Sequence, residues 1–344
     1  MRVTSTNRGI PCELCRILTD DGLELNGFYQ PGGTRDKGRG TRDSTPSPQP
    51  LSPSPFCVVH VHGWEGNFYE NRFIDHAAGA CSRLGVAFAA FNNRGHDYIA
   101  DILRVRRIQK AETRKQNSEL RRRRQEGLDY VQIGGVYEKL TDCVDDIRAW
   151  IDFAAGRGAT RVILQGHSHG AIKAAYYLTA TGDPRVCGLV LLSPSDDMGI
   201  ARKQLGDRQF LKLLARARSL MRAGKGRQLL AGRELQYPVS AATFYDCHNR
   251  DSITGMFNLS RTDREEFPEL ASIRVPVLMA VGTVNEAFVG ASGKYLADVR
   301  EHLVNCPSFT GAVIEGGPHN YLEHEPALAW ELENWLRKMI QSKA

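Results

Sequence analysis

The sequence predicts an α/β fold, built on a mostly parallel sheet of about eight strands with helices on both faces. From residue 56 onward, short apolar runs alternate with longer segments of helical periodicity. The apolar runs are continuous, as expected of strands in a parallel sheet that is covered on both faces. With 42% hydrophobic residues among 344, the chain can also bury a sizeable core.

The predicted elements follow in order along the chain. Residues 14–18 and 23–29 are expected to form a hairpin, because Asp20-Asp21-Gly22 between them is a turn signal. Further strands are predicted at 57–61, 86–91, 162–164, 189–192, 277–281 and 312–314, and helices at 69–84, 139–155, 170–180, 291–304 and 326–340.

Three segments interrupt this alternation. Residues 31–55 are rich in Pro, Gly and Ser and predict a disordered surface loop. Residues 102–132 form a basic insertion, and residues 196–268 leave the sheet between two strands, as a helical lid over a pocket does. The α/β core is therefore predicted over 1–195 and 269–344.

The net charge of +6 comes from one segment. Residues 104–126 hold ten Lys or Arg and three Glu, so the rest of the chain is close to neutral. The run Arg121–Arg124 is of a kind that binds phosphates, but no aromatic residues interleave the basic ones, as single-strand binding would favour. We interpret the segment as a solvated helical insertion and expect no nucleic-acid partner, while attraction of an acidic substrate to it stays open.

Several classes of protein are excluded by composition. No run approaches the roughly 20 apolar residues of a membrane span, and the N-terminal residues contain no apolar signal sequence, so a cytoplasmic location is expected. The eight cysteines are too dilute for a disulfide scaffold, and Cys12 and Cys15 form a lone C-x-x-C pair. Hence no zinc site is expected, and no other metal.

A nucleophile motif follows the predicted strand 162–164. Gly166-His167-Ser168-His169-Gly170 has the pattern G-x-S-x-G and is followed by a predicted helix. In that context the glycines allow a sharp turn, which presents the Ser168 hydroxyl at the carboxyl edge of the sheet. Ser168 is the candidate nucleophile.

A serine needs a base to accept its proton. His319 directly follows the predicted strand 312–314, which places it on a loop at the same edge of the sheet. The other histidines considered follow different strands, flank the serine too closely or lie in the last helix: His60, His62, His96, His167, His169 and His324.

Over nearly its whole length the chain resembles the α/β-hydrolase fold family. Besides Gly166–Gly170 and His319, it shares His62-Gly63-Trp64 and the loop Asn92–His96. The opening Thr19–Gly27 is similar to the first hairpin of the serine aminopeptidase and lysophospholipase-like branch. The resemblance implies a Ser-His-acid mechanism through an acyl-enzyme, with no metal or organic cofactor.

The resemblance also implies an oxyanion hole. It is formed by two backbone N–H groups, one from the residue after the nucleophile and one from the loop after the strand 57–61. In this chain these are the amides of His169 and Trp64.

The acid departs from the family pattern. The family usually carries Asp three residues after the glycine that ends the strand at 277–281, and here Asn285 stands at that place with Glu286 beside it. We expect Glu286 to orient His319 from a slightly shifted loop. Asp196 or Asp197, or Asn285 as an uncharged orienting group, are the alternatives.

The expected function is hydrolysis of an ester or related acyl bond in a small-molecule substrate. Ester, thioester and amide substrates all remain open, with an esterase expected first. Ser at the elbow argues against the dehalogenase and epoxide-hydrolase branches, which use Asp there. The alternatives are a lyase or carbon–carbon hydrolase or an acyltransferase of a biosynthetic pathway, and a non-catalytic binding protein on the same fold.

Overall fold

The structure is a computed structural model that describes residues 11–33, 54–105, 128–230, 235, 237–260, 266–284 and 286–342. Among these residues it confirms an α/β architecture, in which helices cover both faces of one large sheet. No helix of the described ranges is both long and apolar enough to cross a membrane.

Eight strands form the main sheet in the order β1-β2-β4-β3-β7-β8-β9-β10. β1 and β2 pair antiparallel, as does β2 with β4, and all other neighbours are parallel. The strands are β1 (Glu13–Leu18), β2 (Glu24–Gln30), β3 (Phe56–Val61), β4 (Ala87–Phe91), β5 (Ala100–Val105), β6 (Leu128–Ile133), β7 (Arg161–His167), β8 (Val186–Leu192), β9 (Val277–Val284) and β10 (Phe309–Pro318).

The helices of the described residues divide between the two faces. Side chains alternate along each strand, so β3 sends Val59 to one apolar cluster and Val58 to the other. α2, α3 and α8 pack on the first face, and α1 and α9 pack on the second. The helices are α1 (Phe73–Arg83), α2 (Cys143–Gly156), α3 (His169–Thr181), α4 (Asp197–Leu205), α5 (Asp207–Arg222), α6 (Ala241–His248), α7 (Pro268–Ala271), α8 (Ser292–His302) and α9 (Glu325–Gln341).

The strand register brings four loops to one edge of the sheet. Val61 of β3 pairs with Gly166 of β7, so the loops that follow these strands start side by side. β9 and β10 are likewise parallel neighbours, with Gly282 paired to Ile314. The four neighbouring strands β7, β8, β9 and β10 are all parallel. The loops that follow them therefore start at the same edge of the sheet, where ligands bind in sheets of this kind.

Helix α1 begins later than the sequence pattern predicts. Residues 69–84 have helical periodicity, but the helix starts at Phe73. The side-chain oxygen of Asn67 accepts hydrogen bonds from the N–H groups of Tyr69 and Glu70, at 3.1 and 2.9 Å. This local turn competes with the helix for the first amides of the segment.

The ends of the basic insertion are strands. We interpreted residues 104–126 as helical. This is wrong for Arg104 and Val105, which belong to β5, because β5 and β6 pair antiparallel as a separate two-stranded sheet. Ile102 and Ile133 anchor these strands in the main apolar cluster, which a surface helix would not require. Residues 106–127, including Arg121–Arg124, lie outside the described residues, as do residues 34–53 of the predicted disordered loop.

The segment 196–268 contains helices, as its pattern predicts. α4, α5, α6 and a 3₁₀ helix (Ile253–Phe257) lie within it. α4, α5 and α6 share an apolar cluster of their own, which includes Met198, Phe210, Leu213 and Phe244. Residues 231–234, 236 and 261–265 of this segment lie outside the described residues.

Candidate active site

The turn between β7 and α3 places Ser168 in a strained backbone conformation. Its φ is 57° and its ψ is −128°, which an L-residue rarely adopts. Two glycines make the turn possible: a Cβ on Gly166 would lie 2.1 Å from the carbonyl oxygen of Gly170, and one on Gly170 would lie 2.2 Å from that of Val61. The helix thus starts directly against the sheet and holds the serine at its edge.

Ser168 and His319 line one cavity of about 500 Å³. His319 directly follows β10 and is half-buried. No hydrogen bond joins the Ser168 hydroxyl to the imidazole in the described part of the chain. Such bonds are often long before a substrate binds and tighten in the complex, so the two side chains share a site without yet being bonded.

His167 holds the backbone of His319. The Nε2–H of His167 donates to the carbonyl oxygen of His319 at 2.9 Å, and the two rings lie 4.7 Å apart. Burial lowers the pKa of His167 to about 4, so it is neutral near pH 7. This hydrogen bond from a neutral imidazole fixes the position of the backbone at His319.

The imidazole of His319 has no carboxylate attached to it. Its Nδ1 is buried without a hydrogen-bond partner among the described residues. Burial, and secondarily the charge of His167, lowers the pKa of His319 to about 3, whereas the Asp197 carboxylate acts in the opposite direction. The ring is therefore neutral and can accept a proton.

The acid candidates have different environments. Glu286 follows β9, is exposed and lines the cavity with His319. Asp196 is buried and already engaged, because it caps α4 through the Gly199 N–H at 2.8 Å and accepts from the Ser260 hydroxyl. Asn285 lies outside the described residues.

Asp197, the remaining candidate, pairs with the histidine beside the nucleophile. Its Oδ2 lies 3.0 Å from Nδ1 of His169. Hydrogen bonding and charge from His169 lower the pKa of Asp197, although burial opposes this. Both residues line the cavity. The structure thus provides a carboxylate–imidazole pair in the cavity, on His169 rather than His319.

The loop after β3, which carries the Trp64 amide that the sequence predicts for an oxyanion hole, lies beside Ser168. A Cβ on Gly63 would lie 3.1 Å from the Ser168 Cβ, so this loop runs beside the serine. Neither the Trp64 N–H nor the His169 N–H donates to an acceptor in the described residues, and the latter opens a helix, where amides lack partners. Both amides therefore remain available to a ligand in the cavity that Trp64, Ser168 and His169 line.

A buried histidine fixes the peptide that carries the Trp64 amide. Nε2 of His62 accepts from the Asn93 N–H at 3.0 Å, so Nδ1 carries the proton and donates to the Gly63 carbonyl at 2.7 Å. Burial lowers the pKa of His62 well below its usual value, which keeps this tautomer neutral. That carbonyl and the Trp64 N–H belong to one peptide group, so the bond sets the direction of the amide.

The segment 196–268 forms much of the cavity wall opposite the sheet. Trp64 contacts both this segment and the core. Its Nε1 donates to the Gly135 carbonyl of the core at 2.6 Å, and its ring contacts that of Tyr237 in the segment. In the described ranges, no group of three or more His, Cys, Asp or Glu side chains could hold a metal ion. The wall residues from the segment include Ile200, Leu205, Tyr237, Thr243, Phe244 and His248.

Sequence reasoning predicted Ser168, His319 and the two amides as site residues, and the structure places them around one cavity, but it missed several contacts around them. It considered Asp197 only as a partner of His319, and it gave the His167 side chain no role. The sequence did contain a signal for these contacts, namely a histidine on each side of Ser168. Side chains at these two positions point away from the serine, so each must pack against different neighbours.

Comparison with known proteins agrees with this architecture. Residues 58–331 match the family model described as the alpha/beta hydrolase family. No curated protein sequence matches the chain.

Solved structures of low sequence identity share the fold. Est1E from Butyrivibrio proteoclasticus, with ferulic acid bound, is 17% identical with a TM-score of 0.58, over 95% of this chain and 99% of that one. The esterase Pf2001 of Pyrococcus furiosus is 15% identical with a TM-score of 0.53, over 99% and 96%. Mouse alpha/beta hydrolase domain-containing protein 10 is 14% identical with a TM-score of 0.51, over 96% and 100%.

Proposed function

The chain belongs to the alpha/beta hydrolase family, and on this premise we propose that it is a serine hydrolase that cleaves an ester or related acyl bond. One observation carries the proposal. The Ser168 hydroxyl, the neutral His319 imidazole and the unbonded amides of Trp64 and His169 surround a single cavity. Acyl transfer needs these three elements: a nucleophile, a base and donors for the oxyanion.

The reaction follows from these positions. Ser168 Oγ attacks the acyl carbon while His319 accepts its proton, and the two amides stabilise the negative oxygen of the tetrahedral intermediate. His319 then donates the proton to the leaving group, which leaves an acyl group on the serine. A water molecule, deprotonated by His319, attacks that ester and releases the acid and the free serine.

For the acid we propose Glu286. Asp196 is committed to the cap of α4 and Asp197 to His169. The Glu286 carboxylate lines the cavity without a hydrogen bond or ion pair among the described residues, so it is free to turn toward Nδ1 of His319. It follows β9 and stands one residue after Asn285, which occupies the place from which the family usually supplies its acid.

We further propose that residues 196–268 act as a lid on a core of residues 1–195 and 269–344. The segment's own apolar cluster lets it hold together as a unit, and its side chains close the side of the cavity that faces away from the sheet. A lid in this place excludes water and selects the acyl group.

A non-catalytic binding protein is the second candidate. The observation that favours it is the unpartnered Nδ1 of His319, together with the missing bond to Ser168. Without an orienting carboxylate the imidazole accepts a proton poorly, and the cavity would then bind its ligand unchanged.

Hydrolysis of 4-nitrophenyl acyl esters of graded chain length separates the two candidates. We expect turnover by the wild type and a loss of roughly 10³-fold or more in kcat for Ser168→Ala and for His319→Gln. His324→Gln is the matched control, because His324 lies in the same loop region and its imidazole bonds, within the described residues, to the Leu322 carbonyl alone. Equal rates for wild type and His319→Gln would contradict the proposal.

A further inference from the structure

The described wall of the cavity is anionic, although the chain as a whole carries a net charge of +6. Four carboxylates line the cavity: Glu65, Glu70, Asp197 and Glu286. No Lys or Arg is found among the described lining residues. The positive charge of the molecule therefore lies elsewhere than on this wall.

The histidines of the cavity do not balance these carboxylates. Burial lowers the pKa values of His167 to about 4 and of His319 to about 3, and it also lowers the pKa of His248. These rings are neutral near pH 7. Asp197 has a partner of its own in His169. The other three carboxylates form no ion pair within the described parts of the chain.

Among these carboxylates, Glu65 has the environment that most favours binding of a ligand. It is half-buried and has a strained φ of 55°. Burial raises the pKa of its carboxyl, the nearby Tyr98 hydroxyl opposes this rise, and Oε2 is buried with no hydrogen-bond partner among the described residues. A buried carboxylate oxygen without a donor is costly, and a cation brought by a ligand would remove that cost.

Aromatic rings lie beside this carboxylate. The Trp64 ring is held by its bond to the Gly135 carbonyl and meets Tyr237 edge-on, with centroids 5.7 Å apart. The Tyr98 ring lies 5.6 Å from that of Tyr237. Trp and Tyr faces attract organic cations within about 6 Å, so this end of the cavity combines a carboxylate with aromatic surface.

We propose that the substrate carries an organic ammonium group, which binds between the Glu65 carboxylate and the rings of Trp64 and Tyr237 while its acyl carbon lies at Ser168. The inference rests on the proposed function, since it places the cation in the cavity of the nucleophile. Glu70 and Glu286 attract the same charge from the mouth of the cavity. An anionic substrate finds no described cation to receive it.

Two pairs of isosteric esters test this proposal, because a trimethylammonium group and a tert-butyl group have the same shape. For a cation on the alcohol side, the pair is acetylcholine and 3,3-dimethylbutyl acetate. For a cation on the acyl side, it is the 4-nitrophenyl esters of betaine and of 3,3-dimethylbutanoic acid. Each kcat/KM is divided by the ester's own rate constant with hydroxide, which removes intrinsic reactivity.

We expect the cationic ester of at least one pair to be favoured by roughly tenfold or more, and Glu65→Gln to reduce that ratio toward one. Glu301→Gln, which removes an exposed carboxylate on α8 outside the cavity, should leave the ratio as in the wild type. Tyr237→Leu is the second variant if Glu65→Gln does not fold. Ratios near one in both pairs for the wild type would overturn the inference while leaving the hydrolase intact.

A failure of the proposed hydrolase function would give a different result from a failure of the cation site. If no ester is cleaved and Ser168 stays unreactive, calorimetric titration with choline decides the inference alone. Choline binding that is weakened by Glu65→Gln supports the cation site, and absence of binding overturns it.

Discussion

In the proposed mechanism His319 accepts a proton from Ser168, yet its own Nδ1 has no hydrogen-bond partner in the described residues. Burial makes the neutral ring strongly preferred, with a pKa of about 3. The ring is thus ready to receive a proton, but the imidazolium that forms lacks stabilisation. A carboxylate that turns to Nδ1 when substrate binds would supply it, and Glu286 is free to do so.

This environment predicts an unusual pH profile. Because the pKa of His319 is lowered, the neutral form persists as the pH falls, so kcat/KM of the free enzyme should keep its plateau down to about pH 5. If Glu286 closes onto His319 in the complex, the acid limb of kcat should lie at higher pH than that of kcat/KM. Steady-state kinetics between pH 4.5 and 8.5 would show whether kcat/KM stays on its plateau and at which pH kcat begins to fall, with folding checked by circular dichroism.

Glu286→Gln is the decisive variant for the acid. It should lower kcat and bring the two limbs together, whereas Glu315→Gln, an exposed carboxylate on β10, should change neither. A limb of kcat/KM near the ordinary histidine pKa of about 6.5 would contradict this account of His319.

At the scale of elements, the site depends on how closely α3 meets the sheet. Gly170 is in contact with the backbone of β3 and Gly166 with the backbone of α3, so neither position has room for a methyl group. The same contact fixes the strained conformation of Ser168 between them. The position of α3 and the conformation of Ser168 therefore depend on the same backbone contact in this strand–turn–helix unit.

Gly170→Ala should destabilise the protein by several kcal/mol, since its Cβ would lie 2.2 Å from the Val61 carbonyl and both groups belong to the backbone. Urea unfolding of the purified variant would measure the change in free energy.

Gly156→Ala is the matched control. A Cβ there, at the end of α2, meets nothing within 4 Å, so the variant should be stabilised by about 0.5–1 kcal/mol. Equal effects of the two substitutions would refute the close packing described for the elbow.

The elements also show where sequence patterns stop being informative. Continuous apolar runs located the central strands of the main sheet to within a few residues, because both faces of those strands are buried. The β5–β6 hairpin was missed, since its strands carry charged residues and border a strongly basic stretch that favours a helical interpretation. The start of α1 was misplaced because the Asn67 turn competes for its first amides, and periodicity does not register such competition.

At the scale of the molecule, the order of strands explains the site. β7, β8, β9 and β10 are neighbours, so the serine, the paired Asp197, Glu286 and His319 arrive on four adjacent loops. Motif and strand order were enough to predict that Ser168 and His319 lie at the same edge of the sheet, where both line one cavity. The acid was not predictable in the same way, because it depends on which carboxylate is left unbonded after Asp196 and Asp197 have found partners elsewhere.

The central claim is that this chain carries an activated serine at position 168, and labelling with a fluorophosphonate probe tests it most directly. Purified wild type, Ser168→Ala and His319→Gln would be labelled side by side, and the adduct mapped by mass spectrometry. We predict an adduct on Ser168 in the wild type, none in Ser168→Ala and slow labelling of His319→Gln. A folded wild-type protein that stays unlabelled would contradict the claim and favour a binding protein on the same fold.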